Sequence, residues 1–184
     1  MKILKWVGLV LIGAIAVILL VGLFSPKTVV MARSTTIAAT PEIVFEQVNN
    51  LHRWSHWSPF VAKDPTMEVQ VHGPAEGVGS QMLWQNQKGE SGMMIITASK
   101  PNRYIAVNLD FEADGLATGS WTFSPAAGGT VVTWSTTVTD LSYPLGRVMG
   151  LFMNSMMQPY YKLGFERLNR YCQAVADTAK AQSK

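Results

Sequence analysis

TPEIVFEQVNNLHRWSHWSPF, residues 40–60, holds a short helix and its abrupt end in one stretch. Thr40 stands where an N-cap belongs, Pro41 fits the first helical position, and Ile43, Val44, Phe45 and Val48 supply one apolar face. This predicts a helix to about Asn50. Two tryptophans, a histidine, two serines and a proline then crowd into residues 54–60, Ser58-Pro59 stops any helix, and Asp64-Pro65 closes the segment.

On both sides of this helix the sequence favours strands. Upstream, TVVMARSTTIAA is rich in β-branched residues without a helical period, which predicts one strand. Downstream, from Thr66 to Leu141, a period of two holds, and turn signals recur at HGPAEGVG, NQKGE, SKPN, EADG and SPAAGG. That is an antiparallel meander of six strands. The apolar phase is Met67, Val69 and Val71 in one strand, and Ile105, Val107, Leu109 and Phe111 in another. Glu68, Asp110 and Glu112 take the outward phase. In TVVTWSTTV, Val132, Trp134, Thr136 and Val138 share one face, with Thr133, Ser135 and Thr137 on the other.

After Tyr143-Pro144 the helical period returns. Leu145, Met149, Phe152, Met156, Tyr160 and Leu163 form an apolar stripe that predicts a long helix lying across the sheet. Pro159 lacks an N–H and predicts a kink or break, and the polar tail ADTAKAQSK is expected to fray. The fold class is therefore α+β.

At the N-terminus, residues 6–24 contain no charged side chain and no hydrogen-bonding one except the Trp6 indole. As a helix this run is roughly 28 Å long, close to the thickness of a bilayer's hydrocarbon layer. It exceeds an ordinary signal-peptide core, and GLFSPKT offers no small-x-small cleavage site, so the expectation is an uncleaved single-pass anchor. Lys2, Lys5 and the α-amino group favour a cytoplasmic N-terminus and an extracytoplasmic domain, although Lys27 and Arg33 weaken the asymmetry. The expected organisation is an anchor over 1–27, a folded domain over 28–175 and a polar tail over 176–184.

Composition and motifs exclude several function classes. A net charge of +3 comes from scattered basic residues with no aromatic interleaving, which argues against nucleic acid. One cysteine, Cys172, rules out an internal disulfide and a thiolate metal cage, and it reads as a packed apolar side chain. GPAEGVG precedes a strand rather than joining a strand to a helix, so it is no phosphate or dinucleotide loop. His52 and His56 are four apart, but no glutamate lies between them and His72 takes an outward phase. No metal and no cofactor is expected. For catalysis, the inward strand positions hold no carboxylate pair, and His52, His56 and Arg147 are the residual candidates.

The order of these pieces resembles the START-like, or SRPBCC, superfamily with its helix-grip fold, and most closely its polyketide cyclase/dehydrase-like branch. The resemblance rests on ATPEIVFEQVNNLHRWSHWSPF followed by DP, on GVGSQMLW, on GSWTF and on LGFERLNRYC, spread over residues 28 to about 175. It implies a curved antiparallel sheet wrapped on a long C-terminal helix, with an apolar cavity between them that takes a hydrophobic small molecule or lipid. Only some members are enzymes, so a cyclase, dehydrase or hydrolase is the alternative. The residues expected to line the cavity are Trp54, Trp57, Trp84, Trp121, Trp134, Met149, Phe152, Met156 and Tyr160. Trp54 and Trp57 serve either a ligand or the core. Ten methionines are many for this length, and their adaptable thioether chains suit a cavity of variable shape as well as an ordinary core.

Overall fold

The computed structural model describes residues 2–112 and 115–182. Ala113 and Asp114, in the expected EADG turn, and the last two tail residues lie outside the described residues. The chain runs α1 (Lys2–Phe24), β1 (Val29–Ile37), α2 (Pro41–Asn49), a 3-10 turn (Leu51–Arg53), α3 (Trp54–Trp57) and α4 (Pro59–Lys63). Six strands follow: β2 (Glu68–His72), β3 (Gln81–Gln85), β4 (Ser91–Lys100), β5 (Tyr104–Asp110), β6 (Leu116–Ala126) and β7 (Gly129–Val138). The helix α5 (Leu145–Gln182) completes the fold.

The sheet order is β1-β7-β6-β5-β4-β3-β2, and every neighbouring pair is antiparallel. Strands β2 to β7 pair in chain order, as short turns dictate, and β1 joins the free side of β7. The result is an open, curved sheet holding a long helix. The strand phases agree with the alternation in the sequence: Ile105, Val107, Val132 and Trp134 are buried, whereas Glu68 and His72 are exposed. A register shift between Ile96 and Ala98 interrupts the β4–β5 ladder, an irregularity that bends a strand locally.

The structure bears on three expectations for the last helix. Its buried face is not the bulky stripe but Gly150, Met153, Met157, Tyr161, Gly164, Phe165, Leu168 and Cys172, about one residue or 100° round the helix. Leu145, Met149, Phe152 and Met156 are exposed. The cause is steric: a Cβ at Gly164 would lie 3.0 Å from the Trp134 ring and 3.2 Å from Pro59, so the helix approaches the aromatic floor most closely where it has no side chain. Second, α5 passes through Pro159 without a break. Pro159 lies on the exposed side, where water can satisfy the carbonyl freed one turn earlier. Third, residues 176–182 are helical, consistent with alanines at 174, 176, 179 and 181.

The helix α1 from Lys5 to Phe24 has a mean hydropathy of 3.0 and is long and apolar enough to cross a membrane. A signal sequence meets the same criterion. Its C-terminal end packs against the start of α5, where the Tyr143 hydroxyl donates to the Leu19 carbonyl at 3.1 Å.

Candidate ligand cavity

The tryptophan-rich stretch is shaped by the unsatisfied end of α2. The last turn of a helix leaves carbonyls without partners. Here each finds one: Glu46 O accepts from the Asn50 N–H at 3.2 Å, Gln47 O from the Trp57 indole at 3.1 Å, Val48 O from the Trp54 indole at 2.9 Å, and Asn49 O from the Gly77 N–H at 3.1 Å. The two indoles thus terminate the helix and fix the chain that follows. Ser58 leaves helical geometry, and Pro59 begins α4 instead of merely ending a loop.

Held by these two N–H groups, the rings pack against one another edge to face or tilted. Trp54 meets Trp57 at 4.6 Å and Trp121 at 5.2 Å, Trp57 meets Trp134 at 6.0 Å, and Trp121 meets Trp134 at 5.3 Å between centroids. Four indoles therefore close a ring of contacts. Tyr161 of α5 lies against Trp134 at 4.9 Å.

Above this floor is a cavity of about 330 Å³ between the sheet, the α3–α4 segment and the middle of α5. Met31, Met67, Val69, Met82, Trp84 and Met94 line it from the loop and strand side, continued by Leu109, Phe111, Gly119, Trp121, Trp134, Thr136 and Val138. Trp54, Ser58, Phe60 and Val61 close one side, and Met153, Met156 and Met157 of α5 cover it. Seven of the ten methionines, at 31, 67, 82, 94, 153, 156 and 157, face this space. Among the described residues, no charged one does.

Among the described residues, only two of the lining ones carry hydroxyls, Ser58 and Thr136. Thr136 neighbours the buried Tyr161 phenol; burial pushes that phenol's pKa up, and the Thr136 hydroxyl partly offsets the effect. Tyr161 donates to the Met31 carbonyl at 3.3 Å. Ser58 is 4% exposed, and its side chain makes no hydrogen bond within the described residues. It is the one uncommitted hydroxyl of the wall.

Of the lining residues expected from the sequence, the structure brings Trp54, Trp84, Trp121, Trp134 and Met156 to the cavity. The others lie elsewhere. Trp57, a member of the indole ring, is fully buried and does not reach the cavity, and Tyr160 forms an outer layer, stacked on Phe60 at 5.2 Å with the Lys63 ammonium 3.8 Å from its ring. Met149 and Phe152 stand on the exposed face of α5, because the helix is rotated to present Gly164 to the floor. Met31, Phe60, Val61 and Ser58 were not legible as a lining, because nothing in their spacing links them to the meander. Met67, Val69, Leu109 and Phe111 carried the inward-phase signal.

The residual catalytic candidates are separate from the cavity. His52 is exposed on the 3-10 turn. His56 stacks on Tyr171 at 4.7 Å, outside the cavity, and its carbonyl accepts from Arg167 at 3.0 Å. Arg147 lies in the first turn of α5, its guanidinium 5.5 Å from the Tyr143 ring centroid and its Nε buried without a hydrogen-bond partner. Among the described residues no three His, Cys, Asp or Glu side chains lie together as a metal site would require.

An open antiparallel sheet gripping a helix over an apolar cavity defines the class of hydrophobic-ligand folds. The chain belongs to the family described as polyketide cyclase/dehydrase and lipid transport, whose model matches residues 28–173. Solved structures share the fold at low identity. A protein of unknown function from Staphylococcus aureus is 13% identical with a TM-score of 0.63, over 82% of this chain and 97% of that one. The di-domain ARO/CYC protein StfQ of the steffimycin biosynthetic pathway is 11% identical with a TM-score of 0.63, over 82% of this chain and 52% of that one. The di-domain ARO/CYC protein BexL of the BE-7585A pathway is 15% identical with a TM-score of 0.59, over 79% of this chain and 50% of that one. This chain thus spans about half of each di-domain protein. No curated protein matches the sequence.

Proposed function

We propose that this protein binds a hydrophobic small molecule or single-chain lipid in the cavity between sheet and α5, and that residues 1–27 anchor the binding domain, residues 28–175, to a membrane. The observation that carries this reading is the wall itself: about 330 Å³ lined by aromatic, aliphatic and methionine side chains, with Ser58 as the single free hydroxyl among the described residues. A charged group placed inside would lose its hydration without compensation, so the buried part of the ligand is neutral. The volume lies at the lower end of the range for small-molecule sites, which favours one chain or a compact ring system over a two-chain phospholipid. The rival reading, an enzyme of cyclase, dehydrase or hydrolase type, needs a titratable group facing the cavity, and among the described residues no lining one is an acid, base or thiol.

The test is a titration of full-length protein in nanodiscs with 11-(dansylamino)undecanoic acid, together with native mass spectrometry of the purified protein. Saturable binding at one probe per chain, lost in Val69→Trp without loss of the folded circular-dichroism spectrum, is the expected result. An empty protein that gives no saturable signal overturns the proposal.

A further inference from the structure

The first half of α5 carries a second apolar stripe, turned away from the core. Leu145, Met149, Phe152 and Met156 are 63%, 48%, 56% and 57% exposed, and their spacing of four, three and four residues aligns them on one side of the helix. An uninterrupted apolar face of this kind on a soluble surface marks a contact with something else.

Two observations identify what covers it. The first is depth. Tyr143 bonds to the Leu19 carbonyl, and Gly22 approaches Pro144 so closely that a Cβ there would lie 2.9 Å from the proline Cβ. At about 1.5 Å per residue, Gly22 lies roughly 3 Å and Leu19 roughly 7.5 Å short of the end of α1 at Phe24. The span from Lys5 to Phe24 is only about as long as the hydrocarbon layer is thick, roughly 30 Å, so there is little slack to lift this contact into water. Tyr143 and Pro144 therefore lie at the hydrocarbon edge, and α5 begins there. Tyr143, with the Arg147 guanidinium over its ring, has the chemistry of residues that hold proteins at the headgroup level. The second observation is continuity. Met156, the last residue of the stripe, is also part of the cavity wall, beside Met153 and Met157.

We infer that the exposed stripe of α5 lies in the headgroup–acyl boundary of the bilayer that α1 spans, and that a hydrophobic ligand passes between leaflet and cavity beside Met156. This rests on the reading of α1 as an anchor and of the cavity as a ligand site. The occupant of the stripe is the lipid leaflet itself. Flexible methionines at the threshold can part and reclose without a dedicated lid.

The experiment uses full-length protein carrying Met149→Cys, Phe152→Cys or, on the opposite face of the sheet, Thr118→Cys. Each is labelled with a nitrobenzoxadiazole fluorophore and reconstituted into phosphatidylcholine vesicles with or without 5-doxyl phosphatidylcholine. The buried Cys172 stays unlabelled. Several-fold quenching at 149 and 152, with none at 118, is expected. Equal, weak quenching at all three positions in protein that floats with the vesicles overturns the inference while leaving the anchor intact, as does cross-linking between copies through position 152. Failure to float overturns the anchor reading and this inference with it. A second arm follows transfer of the dansyl fatty acid from vesicles to Met149→Asp/Phe152→Asp protein. A slower transfer rate at unchanged equilibrium affinity is expected, whereas an unchanged rate, or no binding by the unsubstituted protein, refutes the passage.

Discussion

Trp57 and Trp84 show how one residue type divides between fold and site. Trp57 is fully buried and its indole caps the Gln47 carbonyl, so Trp57→Phe removes a buried donor and leaves a void. We expect a loss of about 2–4 kcal/mol in chemical denaturation with little change in probe affinity. Trp84, half-buried on β3, meets Phe111 at 5.7 Å and faces the cavity. Trp84→Ala should weaken probe binding by more than it lowers stability, measured by the same titration and melt. Cys172 gives a pH-dependent test. Burial pushes its thiol up to about 12 from 9.0, so the folded state holds the proton over a range in which the unfolded chain releases it. Its contribution is fully present below pH 9 and is lost as pH rises from there toward 12. Folded protein should resist a thiol reagent at about pH 8, and stability should fall less steeply above pH 9 in Cys172→Ala than in the parent. Equal slopes would contradict the assignment.

At the scale of an element, the rotation of α5 governs the site. The helix is apolar on two sides over its first half, and bulk alone favours the side carrying Leu145, Met149, Phe152 and Met156. Packing selects the other side because Gly164 admits the Trp134 ring and Pro59. Gly164→Leu is therefore expected to overpack the contact and cost about 1–3 kcal/mol despite leucine's better helix propensity. A denaturation midpoint at or above that of the parent would show that the helix can lift away from the floor. The same rotation leaves the bulky stripe exposed, so one choice of face sets both the cavity wall and the surface proposed to meet the bilayer.

For the whole molecule, topology decides which compartment the cavity samples. The sheet begins at Val29, five residues after α1 ends at Phe24, so under the proposed anchoring the domain would be held at the membrane surface on the side where Lys27 emerges. Lys2, Lys5 and the α-amino group outweigh Lys27 and Arg33 only narrowly, but they favour a cytoplasmic N-terminus and an exported domain. An active C-terminal alkaline phosphatase fusion, paired with a dark fusion to a fluorescent protein that matures only in the cytoplasm, is the expected result. The reverse pair would place the domain inside.

The order of elements, the inward phase of the strands and the family are all legible in the amino-acid sequence alone. A period of two is local: each β-branched or charged residue at Val69, Glu68, Val107 or Asp110 declares its face through its immediate neighbours. Trp54, Trp84, Trp121 and Trp134 are likewise marked by residue type as large amphipathic groups suited to a cavity wall. The face of α5, the capping roles of Trp54 and Trp57 and the free hydroxyl of Ser58 depended on tertiary structure. A helix apolar on two sides has no internal reason to prefer one, and an indole N–H has no partner until another element's carbonyl arrives. The cavity is the extreme case, because it is the space that side chains from many separate segments leave unfilled, and no single segment encodes it.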